Sequence, residues 1–274
     1  MLHSSTAVAR QLLDSAPHIH RHGQLDVRIA MSEQEIAAAQ ALRYRIFYEE
    51  MGAAPTPKMA AARRDIDPYD LLCDHLLVID HGLDGTPHVV GTYRLLRQVV
   101  AETHGGFYSA QEYDLSPLLA GEGQLLELGR SCVAAAHRNS ATISLLWRGI
   151  ASYLATHGIS HLFGCASLPG ANPDLHAAEL SLLWQNHLAP PPLRARALDH
   201  VPMDRLTPGS YDRIAAQRAL PPLMKGYLRV GAMVGDGAYV DSQFNTVDVF
   251  VIMPVERITS RYLTRFTGSA NDPG

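Results

Sequence analysis

Between Leu125 and Tyr153 the chain reads LLELGRSCVAAAHRNSATISLLWRGIASY, and no other stretch constrains its fold as strongly. The first half is an apolar, strand-like run with Glu127 and Arg130 inside it. Charge buried in a core strand is costly unless paired or used, so this strand carries a network or a site. The second half is an amphipathic helix that begins just after His137-Arg138-Asn139-Ser140. The first N–H groups of a helix lack partners within it and lie at the positive end of its dipole. They face the same loop as Arg138, an arrangement suited to an anion such as a phosphate.

Glu127 and Arg130 are three apart, and a regular strand would send them to opposite faces. Gly129 between them permits a bulge, which would turn both toward one side. Such a bulge would also free backbone N–H groups near Gly129–Cys132. The alternative reading of Glu127 is an ion pair that ties the strand to a neighbour.

Elsewhere the pattern alternates between the two periods. Residues 1–24 have little hydrophobic periodicity and read as a flexible tail that includes His18, His20 and His22. LDVRIAM (25–31) reads as a strand. Ser32 and Glu35 form a capping box opening a helix that runs to about Glu50 and places Arg43 and Phe47 on one face. Residues 51–73 hold three prolines and no period, but carry Asp65, Asp67 and Asp70; a long loop of this kind within a domain points to function. HLLVID (75–80) and HVVGTYRLLR (88–97) read as strands joined by a turn at Gly82 and Asp84-Gly85. After a long connection (98–123) come the strand and helix above, which Gly158 ends between His157 and His161. A strand (161–168) and a helix capped by Asn172 with Pro173 at its first position follow. LRARAL reads as a possible strand, YDRIAAQRAL and LMKGYLRVGAM as helices, TVDVFVIMPV (246–255) as a strand, and a last short helix starts near Glu256. Crossovers and hairpins are both needed, so the expectation is an α/β (α+β) fold with a mixed central sheet flanked by helices, in one domain over 25–274.

The net charge of −4 argues against a general nucleic-acid partner. Seven basic residues between Arg194 and Arg229 against three acids nonetheless offer a local basic face. No apolar run reaches the roughly 18 residues of a membrane span, and no secretory leader is apparent. Three cysteines, Cys73, Cys132 and Cys165, read as reduced side chains of a cytoplasmic protein. The histidines show no metal-ligand spacing, and no metal is expected.

This order of elements resembles the GNAT-like N-acyltransferase fold. Four clusters extend the resemblance to the branch holding acyl-homoserine-lactone synthases and ornithine-lipid-forming N-acyltransferases. They are Arg43-Tyr-Arg-Ile-Phe47, the acidic stretch Asp67, Asp70 and Asp74, Gly91-Thr-Tyr-Arg94, and Glu127-Leu-Gly-Arg130. The segments ASLPGANPDLHAAELSLLW and Pro221-Pro222-Leu-Met-Lys-Gly-Tyr look most like the ornithine group. The resemblance covers about residues 25–255. It implies aminolysis of an acyl thioester by an amine, without a permanently bound cofactor.

Under that reading Glu127 and Arg130 are the catalytic candidates, with Glu127 as base. Arg43, Arg94 and Arg130 would take an acceptor carboxylate; Asp67, Asp70 and Asp74 would take the side-chain ammonium of L-ornithine, with Asp241 and Asp248 in reserve. Phe47, Trp147, Leu146, Leu162 and Phe163 are candidates for an acyl tunnel. Cys132, Val133, Arg138, Asn139, Ser140, Ala141 and Thr142 would hold the donor's phosphopantetheine. Where the wider superfamily has turn glycines, this chain has Ala141 and Ile143. That departure favours an acyl carrier protein, with its single phosphate, over the pyrophosphate of coenzyme A. An amphipathic product implies peripheral contact with the inner membrane, for which Phe107, Tyr108, Leu115, Leu118 and Leu119 are candidates. The alternatives are a different amino-acid-like acceptor, a homoserine-lactone product, or a non-catalytic acyl-carrier or lipid binding module.

Overall fold

A computed structural model describes residues 20–82 and 86–258. Its strands are β1 (His20–His22), β2 (Leu25–Ile29), β3 (Asp74–Asp80), β4 (His88–Arg97), β5 (Tyr113–Asp114), β6 (Gln124–Val133), β7 (Ile159–Pro169), β8 (Arg196–Ala197), β9 (Met233–Asp241) and β10 (Thr246–Pro254). Its α-helices are α1 (Glu33–Tyr44), α2 (Pro57–Ala62), α3 (Gln98–Ala101), α4 (Ser116–Leu119), α5 (Ser140–His157), α6 (Ala177–His187), α7 (Arg213–Ala219) and α8 (Pro222–Arg229). The strands join into one sheet in the order β1-β2-β3-β4-β6-β7-β10-β9-β8-β5. Most neighbours are antiparallel, whereas β6–β7 and β8–β9 are parallel, so the sheet is mixed as the alternation of hairpins and crossovers predicts.

Why HLLVID is apolar throughout follows from its place in the sheet. Leu76 and Val78 join the core under α5, with Leu145, Leu146, Ile150 and Leu154 of that helix. Leu77 and Ile79, on the opposite face, pack with Ala39 of α1. A strand covered on both faces has no polar side, and each large aliphatic residue it buries contributes about 1.5–3 kcal/mol. Asn139 caps α5, its Oδ1 accepting from the Thr142 N–H at 3.1 Å, and Gly158 at φ +61° ends it.

Several local expectations change. Ser32 caps α1, but Glu35 accepts from the Met31 N–H and pairs with Arg28, so the reciprocal half of the capping box is replaced by an ion pair. The helix continues as a π-helical turn over Arg45–Glu50. His20 and His22 lie in β1, paired with β2, so the sheet starts inside the stretch read as tail. The 51–73 loop contains α2 and a 3-10 turn at Pro68–Leu71. Strand β9 has no counterpart in the sequence reading because Gly235 and Gly237 dilute its apolar alternation, and its first residue, Met233, falls in the segment read as the preceding helix. Residues 1–19, the turn residues Asp84-Gly85 and the chain beyond Ile258 lie outside the described residues.

Candidate active site

The central pair of strands is forked. Strands β6 and β7 run parallel only from Gln124↔Ile159 to Glu127↔Phe163, although both continue for several residues. Beyond that point β6 keeps its ladder with β4 and β7 keeps its ladder with β10. At the crotch a Cβ on Gly164 would stand 2.3 Å from the Leu128 carbonyl oxygen, so only glycine fits there. Above it opens a cavity of about 740 Å³, lined by Leu128–Val133 of β6, Cys165 and Ser167 of β7, and Thr246 and Asp248 of β10. Its volume lies in the range of small-molecule sites.

The bulge read from Gly129 is present. Thr92 pairs with Cys132 and Arg94 with Gly129, so two steps on β4 face three on β6. The left-handed residue is Arg130 itself, at φ +50°, and not the glycine. A non-glycine residue in that region costs on the order of 1 kcal/mol and persists because its side chain is held. The bulge turns Arg130 into the cavity that Glu127 also lines.

Arg130 donates from Nε to Asp65 Oδ2 and from Nη2 to Asp67 Oδ2, each at 3.2 Å, and from Nη2 to the Tyr108 hydroxyl at 3.3 Å. Its guanidinium lies between two rings, 4.7 Å from the centroid of Tyr108 and 4.6 Å from that of Phe244. Arg94 donates from Nη1 to both oxygens of Asp67 at 2.6 Å. Arg43 is fully buried and binds Asp65 and Asp70. Three arginines and three aspartates thus close a network that pins the 51–73 loop to β4 and β6. Burial acts to raise the Asp70 carboxyl, but Arg43 and Arg94 outweigh it and hold Asp70 below the usual carboxylate range.

Glu127 makes no ion pair among the described residues. Its Oε2 accepts from the Tyr108 N–H at 2.8 Å, and its Oε1 accepts from the Ser109 N–H at 2.6 Å and from the Ser109 hydroxyl. Burial pushes its carboxyl up, opposed by these hydrogen bonds. A carboxylate oxygen can accept two bonds. Oε1 is therefore filled, and Oε2 keeps one acceptor position.

The predicted residues divide clearly. Phe47, Arg94, Glu127, Arg130, Cys132, Val133 and Arg138 line the cavity. Arg43, Asp67 and Asp70 stand behind it in the network. Asp74 is not brought to the cavity: it accepts from the Tyr153 hydroxyl at 2.5 Å and pairs with Arg97. Of the donor candidates, Asn139 and Thr142 are joined in the cap of α5, beside Ser140 and Ala141 in its first turn. Arg138 is half-exposed and donates to Glu50 at 2.5 Å. Among the tunnel candidates Phe47 and Trp147 line the cavity, whereas Leu146, Leu162 and Phe163 are closed core. Phe107, Leu115 and Leu118 are also buried, which removes most of the proposed membrane-facing surface. On the basic face Arg196 pairs with Asp236 and Arg205 with Asp174; Arg213, Arg218 and Arg229 are exposed and make no ion pair among the described residues.

Two further features were missed. Tyr69 and Tyr108 flank Arg94, with ring centroids 5.7 and 5.3 Å from its guanidinium carbon. The reserve candidates Asp241 and Asp248 do line the cavity, and the unread Glu112 joins them there, with carboxylate oxygens of the three within 4.8 Å of one another. Burial, with Asp248 adding to it, pushes Glu112 up to about 7, and burial pushes Asp248 up to about 6. An isolated acid in an aperiodic connection gives no sequence signal; only folding brings it to β9 and β10.

Residues 42–148 match the acetyltransferase (GNAT) domain family. The chain is 48% identical to the L-ornithine N(alpha)-acyltransferase of Brucella abortus (strain 2308), covering 92% of each protein. It is 46% identical to the protein of the same name from Rhizobium meliloti (strain 1021), over 91% of this chain and 86% of that one. Among solved structures it is similar to the AHL synthase LasI, with a TM-score of 0.47 and 13% identity over 94% of this chain and 100% of the other. It is also similar to FeeM, an N-acyl amino acid synthase from uncultured soil microbes, with a TM-score of 0.46 and 14% identity over 88% and 94% of the two chains.

Proposed function

The chain belongs to the L-ornithine N(alpha)-acyltransferase family, and on that premise we propose how its forked sheet carries out the reaction and which donor it takes. The enzyme moves an acyl group to the α-amine of L-ornithine. The observation that carries the mechanism is the bulge at Arg130 in the mouth of the fork, with Glu127 on the same cavity wall.

The donor's pantetheine arm lies between the parted strands, with its thioester at the bulge and its phosphate toward Arg138 and the first turn of α5. The extra residue of a bulge has no partner opposite it. In this reading backbone N–H groups within Gly129–Cys132 receive the oxyanion. Glu127 takes one proton from the α-ammonium through the open acceptor position on Oε2, directly or through a water. The neutral amine attacks the carbonyl carbon, the C–N bond forms and the C–S bond breaks. The second amine proton leaves with the thiolate as a thiol. Arg130 and Arg94 hold the acceptor carboxylate with the arms of their guanidinium groups that face the cavity. Phe47 and Trp147 border the acyl chain.

The donor is an acyl carrier protein carrying a (3-hydroxy)acyl thioester. Two features support this. Ala141 and Ile143 stand where glycines would let a backbone approach a pyrophosphate, and Arg213, Arg218 and Arg229 are exposed cations for an acidic partner. Among the described residues no helix is long and apolar enough to cross a membrane. The product is amphipathic, so the working location is the cytoplasm with transient contact at the inner leaflet.

The test is purified protein with 3-hydroxyacyl carrier protein, the matching acyl-coenzyme A and a panel of amino acids, followed by product mass and fragmentation. N-acylornithine substituted at the α-nitrogen, formed faster from the carrier protein, is expected. A faster reaction with coenzyme A overturns the donor assignment, and absence of any N-acyl product overturns the mechanism.

A further inference from the structure

The charge balance of the cavity is uneven. Arg94, Arg130 and Arg138 on its wall are all paired: Arg94 with Asp67, Arg130 with Asp65 and Asp67, and Arg138 with Glu50. Glu112, Asp241 and Asp248 make no ion pair among the described residues, with Arg130 near enough only to oppose part of the rise of Glu112 and Asp248. Asp241 Oδ1 accepts from the Gln243 and Phe244 N–H groups of the β9–β10 turn, which fixes its position. Glu112 and Asp248 are each only 6% exposed, and the Cys165 thiol and the Ser167 and Thr246 hydroxyls lie against them, yet Glu112 Oε2 and Asp248 Oδ1 have no hydrogen-bond partner among the described residues. Both residues line the cavity, and a buried acceptor without a donor is expensive to leave in that state.

We propose that Glu112 and Asp248, with Asp241 beside them, form the subsite for the acceptor's side-chain ammonium. This rests on the proposed acylation of an amino acid in the same cavity. An alkylammonium has three donors and one positive charge, which matches two unpartnered acceptors and a third acid in one small space. Arg130 bounds the same cavity, so a diamino acid has a guanidinium for its carboxylate and an acidic corner for its far end. The Asp67 and Asp70 carboxylates cannot serve this purpose, because arginines already occupy them. The raised affinity of Glu112 and Asp248 for protons fits a pair that waits for a cation. Specificity for a cationic side chain then comes from β10 and the 98–123 connection, and not from the loop that the sequence pattern singled out.

The experiment compares L-ornithine with L-norvaline, the same carbon chain without the δ-ammonium, in wild type, Glu112→Gln and Asp248→Asn. The wild type is expected to prefer ornithine. Each substitution is expected to raise the KM for ornithine about 10- to 100-fold, the effect of losing a hydrogen bond to a charged group, and to collapse the preference over norvaline, with no matching change in donor KM. An ornithine-to-norvaline ratio that survives both substitutions overturns the subsite but leaves the acylation reading standing. A wild type that acylates neither amino acid overturns the acylation reading itself. If a variant fails to melt cooperatively, inhibition of the wild type by n-propylamine answers the same question. Competition against ornithine supports the subsite, and its absence overturns it. Calorimetric titration with Mg²⁺, Mn²⁺ and Ca²⁺ completes the test; tight binding that Asp248→Asn abolishes would reassign the cluster to a metal.

Discussion

Replacing Arg43 by Met tests whether the arginine–aspartate network is a structural device or part of the acceptor site. Arg43 is fully buried, and its Nε donates to Asp65 Oδ2 at 2.7 Å. Its Nη2 donates to the Asp65 carbonyl at 2.6 Å and to the Asp70 oxygens at 2.8 and 2.9 Å. Methionine fills much of the same space but restores none of these bonds. Asp65 would keep Tyr48 and Arg130, and Asp70 would keep Gln40 and Arg94. Three carboxylates would then share two guanidinium groups in a closed interior. Breaking one partner out of a buried pair costs about 3–5 kcal/mol. Arg43 Nη1 has no partner even now, which places the expected loss in the lower half of that range. For a chain of this size 1 kcal/mol moves the melting temperature by about 2–4 °C, so a fall of roughly 6–15 °C is expected. Calorimetry measures it, and steady-state kinetics well below the transition supply the control. Arg43 does not line the cavity, so KM for ornithine in the folded variant should match the wild type. Arg43→Met/Asp70→Asn should melt above Arg43→Met, because the second change removes the stranded charge. A melting point within about 2 °C of wild type, or a selective rise in ornithine KM, would refute the reasoning.

Two other substitutions probe the cavity wall and the fork. Glu112 has an ordinary value of 4.5 and is pushed to about 7 in the fold, so the folded protein binds a proton more readily than the unfolded chain between those values. Stability from this group is therefore fullest below pH 4.5 and is lost as pH rises through 7, by on the order of 3 kcal/mol at 1.36 kcal/mol per pH unit. Glu112→Gln should melt higher than wild type at pH 8 and converge with it near pH 5; melting curves that stay parallel across this range would count against a strained carboxylate. Gly164→Ala would place a methyl group 2.3 Å from the Leu128 carbonyl oxygen, where only backbone can give way. Overpacking of this kind costs about 1–3 kcal/mol, and the variant should melt lower by roughly 2–12 °C. An unchanged melting point would mean the strands at the crotch are looser than their spacing implies.

Much of the architecture was legible because it rests on local rules. Short apolar and β-branched runs located β3, β4, β6 and β10, the 3.6-residue period located α5, and Gly158 marked the end of α5. Two charges in an apolar strand flagged β6, and the glycine between them announced the bulge. Strand β9 escaped because glycines erase alternation, and Gly164, a strand glycine, marked the fork only once its neighbour was known.

Pairing was decided elsewhere. Which carboxylate meets which guanidinium depends on where a 23-residue loop comes to rest, and sequence spacing carries no information about that. Asp67 and Asp70 found arginines in the network, Asp74 found Tyr153 and Arg97 away from the cavity, and Glu112 came to rest beside Asp248 with no ion pair among the described residues. The sequence by itself determined the elements and the kind of chemistry, since propensity, period and charge are properties of neighbours along the chain. Only the tertiary structure decided which acids were used up in holding the protein together and which stayed open to a substrate, because Coulomb energy and burial depend on distances that exist only after folding.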